Sequence, residues 1–319
     1  MKTEVLQNAL LNAVKERVPQ GTNIANVLMD ILFIGKEAVY RRLRGEVSFT
    51  LSEAASIAKS LGISLDGIIG SNTQKSRPFQ MKLVEYAKPT EIDYAMLQNY
   101  VDILRVGRDD PYSEITTAAN TFPQCLYLKY ELITKFYQFK WLYHNQYSLV
   151  SSFEELVIID RMRKIQMESV IEHQNLKTSC FIFDNMITQY LINDIKYFVG
   201  VRLISEESVK LLKEELHLFL NELEEIAATA RYDNGNSVYF YVSNINFDST
   251  YTYVRLQNYR ISMIEAFILN AAASLDEENY EKVRTWVLSL RRLSTLISQS
   301  GELQRMQFFR KQRDIVDSL

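Results

Sequence analysis

The sequence predicts a mainly α fold. It reads as a five-helix head over residues 1–70, a linker over 71–90 and a large helical domain over 91–319. That last domain is expected to hold a small antiparallel β-hairpin or three-stranded sheet. Two observations carry the prediction. The 319 residues include only ten glycines and five prolines, and they are unevenly placed. Six glycines fall in the first 70 residues, while beyond Pro123 there is no proline and only Gly200, Gly235 and Gly301. A stretch so poor in both breakers is unlike a loop-rich sandwich or a glycine-rich nucleotide fold. The second observation is apolar residues recurring at helical spacing behind capping residues.

Bulk properties exclude other classes. There are 36 Lys+Arg against 39 Asp+Glu, and 47% of residues are apolar, an ordinary balance for a globular chain. No run of 18 uncharged apolar residues occurs, so no membrane span is expected. Residues 1–18 mix Lys15, Glu16 and Arg17 into their apolar pattern and show no signal-peptide core, so a cytoplasmic protein is expected. Cys125 and Cys180 are expected to be buried thiols there. Residues 1–70 carry eight Lys/Arg against seven Asp/Glu, but the cations cluster. Lys36, Arg41, Arg42 and Arg44 lie within nine residues, opposed by Glu37.

The elements follow in order. A first helix covers about 3–18, with Leu6, Leu10, Ala13 and Val14 on one face, and ends at Pro19-Gln20-Gly21. A second, capped near Thr22, carries Ile24, Val27, Leu28, Ile31 and Leu32, a complete helical stripe. A third runs over 36–44 and stops at Gly45. A fourth opens with the capping box Thr50/Glu53 and ends at Gly62. A short fifth is capped by Ser64, with Leu65 and Ile68 inward. Only about three residues, Phe33 to Gly35, join the second and third helices, the spacing of a helix-turn-helix. The third helix then turns Lys36, Glu37, Tyr40, Arg41 and Arg44 outward, with Val39 and Leu43 inward.

The segment Leu32-Phe-Ile-Gly-Lys-Glu-Ala-Val-Tyr-Arg-Arg-Leu-Arg-Gly45 resembles the recognition segment of the Cro/CI-type (XRE, lambda-repressor-like) helix-turn-helix regulators. The likeness continues through Thr50-Leu51, Ile57-Ala58-Lys59 and Leu61-Gly-Ile-Ser-Leu-Asp66, and covers about residues 4–70. It implies a five-helix DNA-binding domain whose recognition helix, 36–44, enters the major groove. DNA-binding candidates are therefore Lys36, Glu37, Tyr40, Arg41 and Arg44. Asn23, Asn26 and Arg42 are candidate phosphate contacts. The sequence departs from the family pattern at Met29, where a small Ala is usual, at Phe33, where Gly is usual, and at Gly35, where Ser or Thr is frequent. Ala25 stands where the family has an early Gln. A left-handed residue other than Gly costs about 1 kcal/mol. Either a wider turn or a Phe33 side chain plugging the core from an altered turn is therefore expected.

The linker holds Pro78 and Pro89, and Phe79, Met81 and Val84 suit an extended arm docked on the body. Helices are expected over about 90–106, 123–145, 152–173, 184–198, from Ser205, from a Ser274/Glu277 box, and over 302–316. Residues 237–246 and 249–256 are β-branched and aromatic around a turn, and read as a hairpin. Residues 261–269 are a third strand or the start of a helix. The strand tyrosines Tyr239, Tyr241, Tyr251 and Tyr253, and the aromatic run of 126–147, suit a core, a dimer interface or an effector pocket.

No catalytic or metal-binding pattern is found. His144, His173 and His217 are isolated, and the phosphate-loop, nucleophile-elbow and zinc-spacing motifs are missing. No cofactor, metal or enzymatic activity is expected. The reading is a transcriptional regulator that binds double-stranded DNA as a homodimer, its C-terminal domain dimerising and sensing an undetermined small molecule or peptide. The alternative is an interaction module that uses the same fold for protein contacts.

Overall fold

A computed structural model describes residues 3–19, 22–65, 68, 79–145 and 151–319. The head contains α1 (Thr3–Arg17), α2 (Ile24–Leu32), α3 (Lys36–Leu43) and α4 (Leu51–Leu61). They close over Leu10, Val14, Leu28, Val39 and Ile57. Local capping sets their ends. The Asn23 side chain accepts from the Ala25 N–H at 2.9 Å. Thr50 and Glu53 cap α4 reciprocally, and Gly62 ends it at φ 62°. The expected fifth helix lies partly outside the described residues, and linker positions 71–78 lie outside them. Leu65 and Ile68 pack against the head core.

The body is α/β, which corrects the expectation of a mainly, let alone entirely, α-helical domain with only a small hairpin or three-stranded sheet. Its sheet has eight strands: β1 (Gln80–Lys82), β2 (Glu114–Ala119), β3 (Thr178–Phe183), β4 (Ser237–Ser243), β5 (Tyr251–Arg255), β6 (Arg260–Ala266), β7 (Asn270–Ser274) and β8 (Ser294–Leu296). Their order is β1-β7-β6-β5-β2-β3-β4-β8. The central trio β2, β3 and β4 is parallel, with Glu114 opposite Thr178 and Thr178 opposite Ser237. All other pairings are antiparallel.

One face of the sheet carries α5 (Glu91–Val106), α6 (Gln124–Tyr127), α7 (Glu131–His144), α8 (Asp160–Gln174), α9 (Ile187–Gly200), α10 (Glu206–Thr229) and α12 (Glu302–Asp317). Phe181, Phe183 and Phe240 point into this core. The opposite face is covered by α11 (Glu277–Arg292), whose Tyr280, Val283, Val287 and Leu290 meet Ala118, Ile182 and Tyr253.

Two physical reasons explain the missed sheet. Strands β2 and β3 are buried on both faces, so Glu114-Ile-Thr-Thr-Ala-Ala119 and Thr178-Ser-Cys-Phe-Ile-Phe183 show no polar alternation. Glycine scarcity also misleads. Phe33, Arg202, Ala230, Phe267, Ile268 and Gln299 take positive φ, so ordinary side chains occupy turn positions usually given to glycine.

The expected hairpin is corrected in its pairing. Both strands exist, but β4 lies between β3 and β8, and β5 between β2 and β6. Residues 244–250 cross the ends of β3 and β2 instead of turning back. Residues 260–266 are a strand, and the extended arm enters the sheet as β1. The four strand tyrosines share the face under α11. Tyr253 is buried there and meets Tyr280 edge-on at 5.8 Å. Of the aromatic run, Phe136, Tyr137, Phe139 and Trp141 are core.

Helix limits also move. The helix expected over 123–145 breaks into α6 and α7, and the Glu215 carboxylate accepts the Ile133 N–H at 2.8 Å in the first turn of α7. Residues 152–159 do not continue α8; Phe153 docks there, its N–H donating to the Leu203 carbonyl at 2.8 Å. Asp276, not Ser274, caps α11.

Among the described residues, the contacts between head and body include two side-chain bonds. Arg17 pairs with Glu277 at 2.9 Å. The Tyr259 hydroxyl donates to the Lys59 carbonyl at 2.8 Å. Among the described residues no helix is long and apolar enough to cross a membrane.

Candidate nucleic-acid interface

The exposed surface of α3 depends first on the turn before it. Phe33 closes α2 in the left-handed conformation, φ 53° and ψ 39°, with its N–H on the Met29 carbonyl at 2.9 Å. The turn is thus closed without a glycine, and the Phe33 ring is 92% exposed. This corrects the expectation that the ring plugs the core from an altered turn. Leu28 and Val39 already fill that space, both without exposed surface. Met29 is accommodated at the edge of the core rather than in its centre.

Val39 anchors α3, with Tyr40 and Leu43 packed around it. Opposite this anchor, Lys36, Glu37, Arg41 and Arg44 are exposed. Tyr40 is half-buried, with the Lys36 ammonium 6.0 Å from its ring centre. The outer arginines are held by carboxylates in the free protein. Arg44 meets Glu46 at 2.6 Å and Glu37 at 3.1 Å, and Arg41 approaches Glu46 at 3.6 Å. The Arg44 hydrogen bond draws the Glu46 carboxyl below its usual range. Exposed pairs of this kind are weak and screened by salt, so a phosphate or base edge can take over either guanidinium at little cost.

The candidate phosphate contacts divide. Arg42 is turned inward, 15% exposed, with its guanidinium on both Glu53 oxygens at 3.1 and 2.7 Å and on the Ala38 carbonyl at 3.1 Å. It ties α3 to the first turn of α4. Burial raises the Glu53 carboxyl, but Arg42 and the Thr50 N–H outweigh it and hold the group below its usual range. The Asn23 carbonyl oxygen is engaged in capping α2, while Asn26 is exposed.

Two contributors were not singled out from sequence. Glu46 is the counter-ion shared by Arg41 and Arg44; a carboxylate just past the basic run was the signal for it. Gln7 donates to the Arg42 carbonyl at 3.0 Å and the Val47 carbonyl at 3.3 Å, fixing the loop after α3 against α1. No local pattern marks that contact.

Among the described residues no group of three or more His, Cys, Asp or Glu is placed to hold a metal ion. His173 is buried and stacks on Phe181 at 5.9 Å, and burial pushes it down to about 4. His217 meets Asp317 at 3.1 Å. Both cysteines are free. A scan against protein-family models found no match, and searches of curated proteins and of solved structures returned no similar chain.

Proposed function

We propose that this protein is a sequence-specific DNA-binding transcriptional regulator. The supporting observation is α3 itself: a short helix on a three-residue turn, anchored by Val39, with Lys36, Glu37, Arg41 and Arg44 on its outer face. A helix so presented matches the width of the B-DNA major groove. In this reading Lys36, Arg41 and Arg44 meet phosphates or guanine edges, Tyr40 a phosphate or a thymine methyl, and Glu37 a cytosine amino group. Arg42 acts from behind by fixing α3 on α4. One head offers little contact area, so the protein acts as a homodimer on paired half-sites. A mass at the 37.2 kDa of one chain at micromolar concentration would contradict the dimer.

The second reading, a protein-interaction module, is favoured by one observation. Phe33 places an almost bare aromatic ring on the turn beside α3. Enrichment of duplexes from a random-sequence pool separates the two. A regulator yields a shared motif, and Glu46→Gln, which removes the carboxylate shared by Arg41 and Arg44, strengthens binding several-fold. A pool with no enrichment at low salt overturns the DNA reading.

A further inference from the structure

The sheet is not packed evenly. Between its antiparallel half and helices α5, α6 and α8 lies a cavity of about 460 Å³. Its cause is visible in the sequence. Strand β7 reads Asn-Ala-Ala-Ala-Ser, and its Ala271 and Ala273 present only methyl groups to the cavity. The walls are Leu97, Ile103, Ile165 and Met263. A volume of this size, apolar with a few polar groups, is typical of small-molecule sites.

Glu265 on β6 is the only Asp, Glu, Lys or Arg among the described side chains that line the cavity. Its carboxylate accepts the Thr121 hydroxyl at 2.9 Å. Burial raises it to about 7, with the Thr121 and Thr250 hydroxyls working the other way. The nearby Tyr100 and Cys125 are held protonated by burial. Two further lining residues on α8 carry unsatisfied atoms: Gln166 Oε1 and His173 Nδ1 have no hydrogen-bond partner, though both side chains are at least 95% buried. The first is an acceptor, and a neutral imidazole offers an acceptor at one of its two nitrogens. Unsatisfied buried polar atoms are costly in an interior. The turn next to Glu265 is strained as well: Phe267 and the β-branched Ile268 both hold positive φ, at 53° and 70°.

We propose that this cavity binds a small, mainly apolar molecule that carries an amine, its N–H groups directed to Glu265, Gln166 and His173. The apolar part lies between α5, α8 and the alanines of β7. Ser64 of the head also lines the cavity, so the site adjoins the head–body junction. The inference does not depend on the DNA reading, because ligand binding is measured without DNA.

The test uses the full chain and the fluorescent probe N-phenyl-1-naphthylamine, displaced by n-octylamine, n-octanol or n-octanoate at one pH near 8. Probe fluorescence is expected to rise on binding. Octylamine displaces it at concentrations at least ten-fold below octanoate, with octanol between. Glu265→Gln brings octylamine and octanol to within about two-fold of each other. Ala273→Phe, which fills the cavity, abolishes probe binding while circular dichroism stays unchanged; if that variant does not fold, the headgroup order in the unmodified protein decides. Absence of probe binding, octanoate displacing as well as octylamine, or an unchanged headgroup order in Glu265→Gln overturns the proposal.

Discussion

The head and the body are assembled over different distances along the chain. In the head α2 and α4 are capped by side chains two or three positions away, and the core that the helices share is drawn from within residues 10–68. In the body, Gln80 pairs with Ala273 and Glu114 with Thr178, so no strand pairing is local until β5, β6 and β7. Short-range signals therefore mark several of the helix ends of the first region. The second is specified by which faces are jointly buried.

The strongest way to break this contrast is to remove a ring from the sheet. Phe240 has no exposed surface and lies among Phe181 and Phe183. Phe240→Ala is expected to cost about 3–5 kcal/mol. Trp141 and Trp286, the two tryptophans, both lie in the body, so fluorescence in a urea titration follows that region alone. Hydrogen exchange of the α2 amides should stay unchanged. Equal loosening of α2 would show that the head has no stability of its own.

The second prediction concerns pH. Glu265 titrates near 7 in the folded protein and near its usual lower value when unfolded. The folded state therefore holds its proton more tightly. The stability this gives is complete below about pH 4.5 and is lost as pH rises to about 7, a change of roughly 3 kcal/mol. Glu265→Gln removes it. Unfolding free energies of the two proteins should diverge across that window, and parallel curves would contradict a buried carboxyl.

The smallest effect sharpens the boundary between the regions. Gly45 and Gly62 both hold positive φ, at 77° and 62°. Around Gly45 a methyl group meets nothing, so Gly45→Ala should cost about 1 kcal/mol of backbone strain. At Gly62 the added carbon would stand 2.1 Å from the Asn258 carbonyl oxygen of the body. Gly62→Ala should cost at least twice as much in thermal unfolding. Equal costs would mean that the regions do not touch there.

These contrasts explain what was legible. The capping box at Thr50, the stripe of α2 and the stop at Gly62 are adjacent signals, and they survive in the structure. So do Ser205 and the long helix behind it. The sheet was hidden because β2 and β3 are buried on both faces and because β4 and β5, adjacent in sequence, lie on opposite sides of the β2–β3 pair. In the candidate interface, the outward placement of Lys36, Glu37, Arg41 and Arg44 follows from helical spacing. The inward turn of Arg42 depends on Glu53, eleven residues away on another helix, and spacing alone does not reveal it.

The measurement that bears most directly on the proposed function is the salt dependence of DNA binding by the full chain, with and without Arg41→Ala/Arg44→Ala. The affinity of the unmodified protein for an enriched duplex should fall steeply with salt. The double substitution should lower the slope of log affinity against log salt by about two, the loss of two phosphate contacts. Absence of binding at about 50 mM salt, or a slope that the double substitution leaves unchanged, would contradict the assignment of α3 as the DNA-reading helix.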